Sequence, residues 1–182
     1  MTRAIVVPPA VPPAALAELK AWLGITTARD DAELLALIRA SLDLCEAFTG
    51  ILPLLCECED RFVPAAAWRV LPARPVQSII AVEAVGAGGL RVALPVADYA
   101  IDLDADGGGR VRLLQTASDR PPVVVRFTAG LVAAWGDLPA ALRQGVIRLA
   151  AHQHRQRDGA EAGALPAVVT ALWRPYRRVR IG

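Results

Sequence analysis

Asp102, Asp104 and Asp106, followed by Gly107, have the spacing in this chain that comes nearest to a known chemistry. They match the first half of a calcium-binding loop, which takes oxygen ligands at positions 1, 3 and 5 and a glycine at 6. The bidentate glutamate of such a loop belongs at position 12, where Leu113 stands. The flanking residues alternate like strands, so the expectation is an acidic hairpin turn. Cys56-Glu57-Cys58 offers two thiols, but zinc needs two further ligands and none has a standard spacing. His152 and His154 are two residues apart on a helical stretch, so they point to different faces and cannot chelate as an i, i+4 pair. Gly86-Ala87-Gly88-Gly89 and Asp106-Gly107-Gly108-Gly109 lack the Gly-Lys-Ser/Thr and the strand-to-helix context of a phosphate cradle. No serine sits in a nucleophile elbow, and Cys45 has no histidine partner legible in sequence. Nucleophile, base and oxyanion donor do not assemble. The chain is therefore expected not to be an enzyme, with no catalytic residue, cofactor or metal.

The strongest signal is cationic. Four arginines, Arg174, Arg177, Arg178 and Arg180, fall within seven residues, and Val179 and Ile181 alternate with the last of them. That alternation suits an extended segment with one apolar and one cationic edge. Trp173, Tyr176, Val179 and Ile181 offer apolar anchors, and arginine makes bidentate contacts to carboxylates. Two functional readings remain open beside a solvated tail. In one, the segment docks on a protein. In the other, it and Arg143, Arg148, Arg155 and Arg157 bind nucleic acid through phosphates, without sequence preference. The interleaved apolar residues favour protein, since a phosphate binder has less need of Val and Ile.

Charge is distributed to match. The net charge is +2, but residues 1–137 hold 12 basic and 16 acidic residues, whereas residues 138–182 hold 8 arginines and 2 acids. An acidic body with a basic end fits head-to-tail contact between copies, or contact with an acidic partner. Hydrophobic residues make up 54% of the 182 and mean hydropathy is +0.39, which marks a globular chain with one good-sized core. No apolar run reaches the roughly 18 residues needed to cross a bilayer. Arg3-Ala4-Ile5-Val6-Val7 weakly matches the start of a signal peptide, but Pro8, Pro9, Pro12 and Pro13 break it, so a soluble, unprocessed protein is expected. Cys45, Cys56 and Cys58 are odd in number and read as reduced thiols.

The elements that must position these groups are legible as periods. Residues 13–23 read as a short helix, with Leu16, Leu19, Trp22 and Leu23 sharing a face and Gly24 following. Asp30 and Glu33 form an acidic capping-box pattern opening a helix to about Thr49, with Leu34, Leu37, Ile38, Leu42, Cys45 and Phe48 at helical spacing. From about Glu57 to Gly130 the period changes. Strands are expected at 61–63, 68–71, 76–85, 90–94, 99–103, 110–114 and 123–127, separated by turn residues. A helix starts again near Pro139 and ends at Asp158-Gly159, and a last short one opens at Leu165-Pro166. The fold class is α+β. N- and C-terminal helices form a bundle, and a small antiparallel β-domain is inserted between them. The expected divisions are 1–55, 56–130 and 131–182, with a docking arm from about residue 174.

The series resembles a known family, the head–tail connector (adaptor) proteins of tailed bacteriophages and their counterparts in gene transfer agents. Carrying the resemblance are the run from Asp30-Asp31-Ala32-Glu33-Leu34-Leu35 to Ala47-Phe48-Thr49-Gly50, then Leu71-Pro72-Ala73-Arg74-Pro75-Val76-Gln77-Ser78-Ile79 and Asp98-Tyr99-Ala100-Ile101-Asp102. Val125–Gly130, Leu138–Arg143, His154–Arg157 and Leu165–Arg178 complete it in order. Phe48 and His154 depart from it, standing where the family often has tyrosine. The resemblance implies a ring of copies, a dodecamer, in the neck between portal and tail, assembled in the bacterial cytoplasm. Its partners would be itself, the portal protein, and a stopper or tail-completion protein, with DNA passing through the channel unbound and no membrane involved. It places portal docking on Trp173, Arg174, Tyr176, Arg177, Arg178, Val179, Arg180 and Ile181. Arg143, Arg148, Arg155 and Arg157 remain possible subunit or DNA contacts. The alternatives are a sequence-independent nucleic-acid-binding protein and a neighbouring stopper or tail-completion protein.

Overall fold

The computed structural model describes residues 3–7, 11–115, 121–156 and 165–177. The chain divides into two compact units, one of residues 1–9 with 55–131, the other of 10–54 with 132–182. The first is a β unit inserted into the second, which is helical. At the root of the insertion, Leu54 and Val132 form an isolated parallel bridge.

In the helical unit, α1 (Pro13–Leu23) and α2 (Asp31–Thr49) precede the insertion, and α3 (Ala140–Arg155) and α4 (Ala167–Trp173) follow it. Proline precedes or opens three of these helices, where its missing N–H costs nothing. Helix α2 ends on Gly50, whose φ of 74° is favourable only without a Cβ and whose N–H reaches the Glu46 carbonyl at 2.7 Å. The Asp30 side chain does not make the capping bond expected at its start. Asp30 has φ −103° and ψ 9°, not the extended backbone that aims a capping carboxylate at free N–H groups. Asp31 instead accepts a 2.6 Å bond from Lys20, tying α1 to α2. The apolar stripe of α2, Leu34, Ile38, Leu42 and Cys45, meets Leu142, Val146, Leu149 and Ala150 of α3 in the core. Helix α3 ends at Arg155, before the expected Asp158-Gly159 stop, which lies outside the described residues.

The β unit holds two antiparallel sheets. Five strands are β1 (Arg3–Val7), β2 (Cys56–Phe62), β4 (Val76–Val85), β5 (Arg91–Ala93) and β8 (Val123–Ala129), in the order β1-β2-β8-β4-β5. Three more, β3 (Arg69–Val70), β6 (Tyr99–Leu103) and β7 (Gly109–Leu113), form the order β3-β7-β6. Central β8 buries Val123, Val125, Phe127 and Ala129, the period-2 face of a β-branched run. Strand β1 was not expected. Its five residues are too few for a period and are followed by prolines, yet they pair with β2 from Arg3↔Asp60 to Val7↔Glu57. Arg3–Val7 thus pairs into the β unit, whereas sequence grouped this stretch with the N-terminal helices.

Candidate docking surface

The C-terminal segment leaves the helical unit from an anchored base. Helix α4 buries Val169 and Trp173. The Trp173 indole N–H donates to the Leu142 carbonyl at 3.3 Å, and its ring lies 6.1 Å from that of Phe48. Gly145 in α3 makes room for it. A Cβ there would stand 2.6 Å from Trp173 Cε2 and run into Nε1. After Trp173 the chain makes a 3-10 turn, Arg174–Tyr176, and becomes extended at Arg177 (φ −71°, ψ 121°). Arg174 and Arg177 are exposed and Tyr176 is half-buried. The Arg177 guanidinium sits 5.5 Å over the Phe48 ring. Trp173, expected among the docking anchors, has no exposed surface to offer. It holds the segment in place. Arg178, Val179, Arg180 and Ile181 lie outside the described residues, as does Arg157.

The remaining arginines separate by role. Arg143 is a tie within the bundle: its Nη1 donates to the Gly136 carbonyl at 3.2 Å and its Nε lies 3.6 Å from Glu18. Glu18 also accepts from the Trp135 indole at 2.9 Å. Arg148 stacks on Trp22, 5.0 Å from the ring centroid, and its buried Nε has no hydrogen-bond partner. Arg155 is exposed. Together with His152, Pro166 and Val168, Trp22, Arg148 and Arg155 line a shallow pocket of about 180 Å³. Sequence placed Trp22 on the core face of α1, but the indole is 42% exposed there, where it carries Arg148. The signal for this groove was Arg148, His152 and Arg155 recurring on one side of α3.

The groups that opened the question of chemistry have structural occupations. Asp102 accepts from Arg110 Nε at 2.7 Å across the β6–β7 hairpin, and Asp104 accepts from the Gly108 N–H at 2.6 Å. Gly107 turns the hairpin at φ 74°, with Pro75 so close that any Cβ would collide. Cys56 and Cys58 face the core with their sulfurs 3.5 Å apart. Burial pushes the Cys45 thiol up to about 12, only partly opposed by its hydrogen bond with Thr49. Among the described residues, no three His, Cys, Asp or Glu side chains could hold a metal, and no helix is long and apolar enough to cross a membrane.

No protein family and no curated protein matches the chain. Solved structures do. A chain from the neck of an empty GTA particle, computed with C6 symmetry, is 28% identical at a TM-score of 0.79, covering 100% of this chain and 97% of that one. A chain from the neck of a native GTA particle, computed with C12 symmetry, is 29% identical at 0.77, with the same coverage. A chain from the virion of a native gene transfer agent particle is 28% identical at 0.76, again with the same coverage. The likeness runs the whole length of the chain. It therefore takes in the helices, the inserted sheets and the segment that Trp173 anchors.

Proposed function

We propose that this chain is a structural component of the neck of a gene transfer agent or related phage-like particle, a head–tail connector and not an enzyme. The observation that carries this is the full-length likeness to neck chains at 28–29% identity, above the level where only a fold is shared. Copies form a ring around the channel that DNA traverses. The C6 and C12 symmetries of those necks support a ring, since rotational assemblies repeat one head-to-tail interface until it closes. Within the neck, the adaptor position beneath the portal suits this chain. Its C-terminal segment, Arg174, Tyr176 and Arg177 continuing into Arg178, Val179, Arg180 and Ile181, docks on the portal protein. The opposite side of the ring receives the stopper or tail-completion protein. The anchored base supports this role, because a buried Trp173 fixes the direction in which the cationic segment sets out.

Deleting residues 174–182 tests the assignment. The expected outcome is a subunit with unchanged far-UV circular dichroism that is absent from purified tailed particles. Normal incorporation of the deletion variant would overturn portal docking by this segment. Electron microscopy that places the wild-type chain anywhere but between portal and tail would overturn the neck assignment itself.

A further inference from the structure

The Phe48 ring touches both ends of the chain's exit from the helical unit. It lies half-buried in the last turn of α2, 6.1 Å from the Trp173 ring at a tilt of 48° and 5.5 Å from the Arg177 guanidinium. Between these two contacts the chain has little freedom. The Trp173 indole is bonded to the Leu142 carbonyl, Pro175 fixes φ inside the 3-10 turn, and the Arg177 N–H closes that turn on the Arg174 carbonyl at 3.1 Å. The hold at Trp173 sets where the segment begins and how it sets out. The second hold, at Arg177, keeps it on that bearing once the turn is complete.

Two physical terms favour the second hold. A guanidinium over the face of an aromatic ring is attracted by the ring's quadrupole. The C-terminal end of a helix carries partial negative charge, and α2 has no basic residue in its own last turn to meet it. Arg177 brings a cation there from the far end of the chain. The stack occupies the flat face of the guanidinium and leaves its in-plane N–H groups, whose fork geometry matches a carboxylate. Arg177 is exposed, so that fork is open to a partner while the ring still holds it.

We propose that Phe48 is a positioning residue for docking, acting through Arg177 to hold the cationic segment in the direction in which it meets its partner. The inference rests on the reading of Arg174–Ile181 as the portal-docking segment. Without the stack the segment leaves the turn over a range of directions, and its apparent affinity falls by the fraction of time it spends in the competent one.

The test uses the full chain in assembled particles. Each variant is produced together with wild-type chain, and mass spectrometry of purified particles gives the ratio of the two in the neck. Phe48→Leu keeps an apolar side chain against Trp173 but removes the aromatic face. It is expected to lower incorporation about two- to fivefold, the range of a cation–π contact at an exposed site. Phe48→Tyr keeps the face and is expected to incorporate at the wild-type level. In an Arg177→Gln background, Phe48→Leu is expected to cause no further loss, since the ring then has no guanidinium to hold. Packing against Trp173 alone would make Phe48→Leu equally costly with and without Arg177, which overturns the proposal. Wild-type incorporation of Phe48→Leu, or a Phe48→Tyr as impaired as Phe48→Leu, overturns it too. In either case the portal-docking reading stands as long as deletion of residues 174–182 abolishes incorporation. Normal incorporation of that deletion overturns both.

Discussion

At the scale of single residues, Gly145 and Trp173 decide how the C-terminal segment is held. Replacing a mid-helix glycine by alanine ordinarily stabilises by about 1 kcal/mol. Here the added Cβ meets a fully buried indole that cannot swing away without giving up its bond to the Leu142 carbonyl. Overpacking of this kind costs about 1–3 kcal/mol. The clash should win, so Gly145→Ala is expected to lower the free energy of unfolding by about 1–2 kcal/mol in urea titration. A stabilised variant would mean that Trp173 repacks freely. Trp173 also marks a limit of reading residue by residue. Its place beside four arginines suggested an exposed anchor, whereas helical period alone would have put it on the inner side of α4 with Val169. Burial follows period because the apolar face of a short helix has nowhere else to go.

At the scale of elements, an ion pair ties the two sheets of the β unit to each other. Asp60 of β2 is fully buried and accepts two bonds from Arg69 of β3, at 2.8 and 3.1 Å. Arg69 also stacks 5.6 Å from the Phe62 ring, and the Asp60 carboxylate raises its affinity for its proton. Arg69→Ala leaves the buried carboxylate without its partner, a change expected to cost about 3 kcal/mol. Removing both groups, as Asp60→Leu with Arg69→Leu, should recover most of that loss. Chemical denaturation of the two variants checks the order, and equal losses would mean that the pair itself, not the orphaned charge, supplies the stability. The strands were legible in sequence to within a few residues, since alternation and turn glycines are local. The capping bond expected of Asp30 and the strand Arg3–Val7 were misread. Both depend on partners distant in sequence, Lys20 across the α1–α2 turn and β2 more than 50 residues on.

At the scale of the whole molecule, charge is sorted between partners rather than concentrated for gripping DNA. Arg143 is spent on Glu18 and Gly136, and Arg148 is stacked on Trp22. Binding to a random duplex is therefore expected to be weaker than about 100 µM at 150 mM salt, the weak end of nonspecific affinity. Fluorescence anisotropy checks this, and micromolar binding with a steep salt slope would favour the nucleic-acid reading. The sequence by itself determined the α–β–α order, the short antiparallel strands and the cationic C-terminal segment. Each of these rests on periodicity, turn chemistry or net charge, which are properties of neighbours along the chain. Only the tertiary structure decided that Trp173 is an internal anchor, that Arg143 is a tie, and that Trp22 stays half-exposed to build a groove with Arg148 and Val168. Those outcomes depend on which helix face meets which, and α1, α3 and α4 bring together residues nearly 150 positions apart.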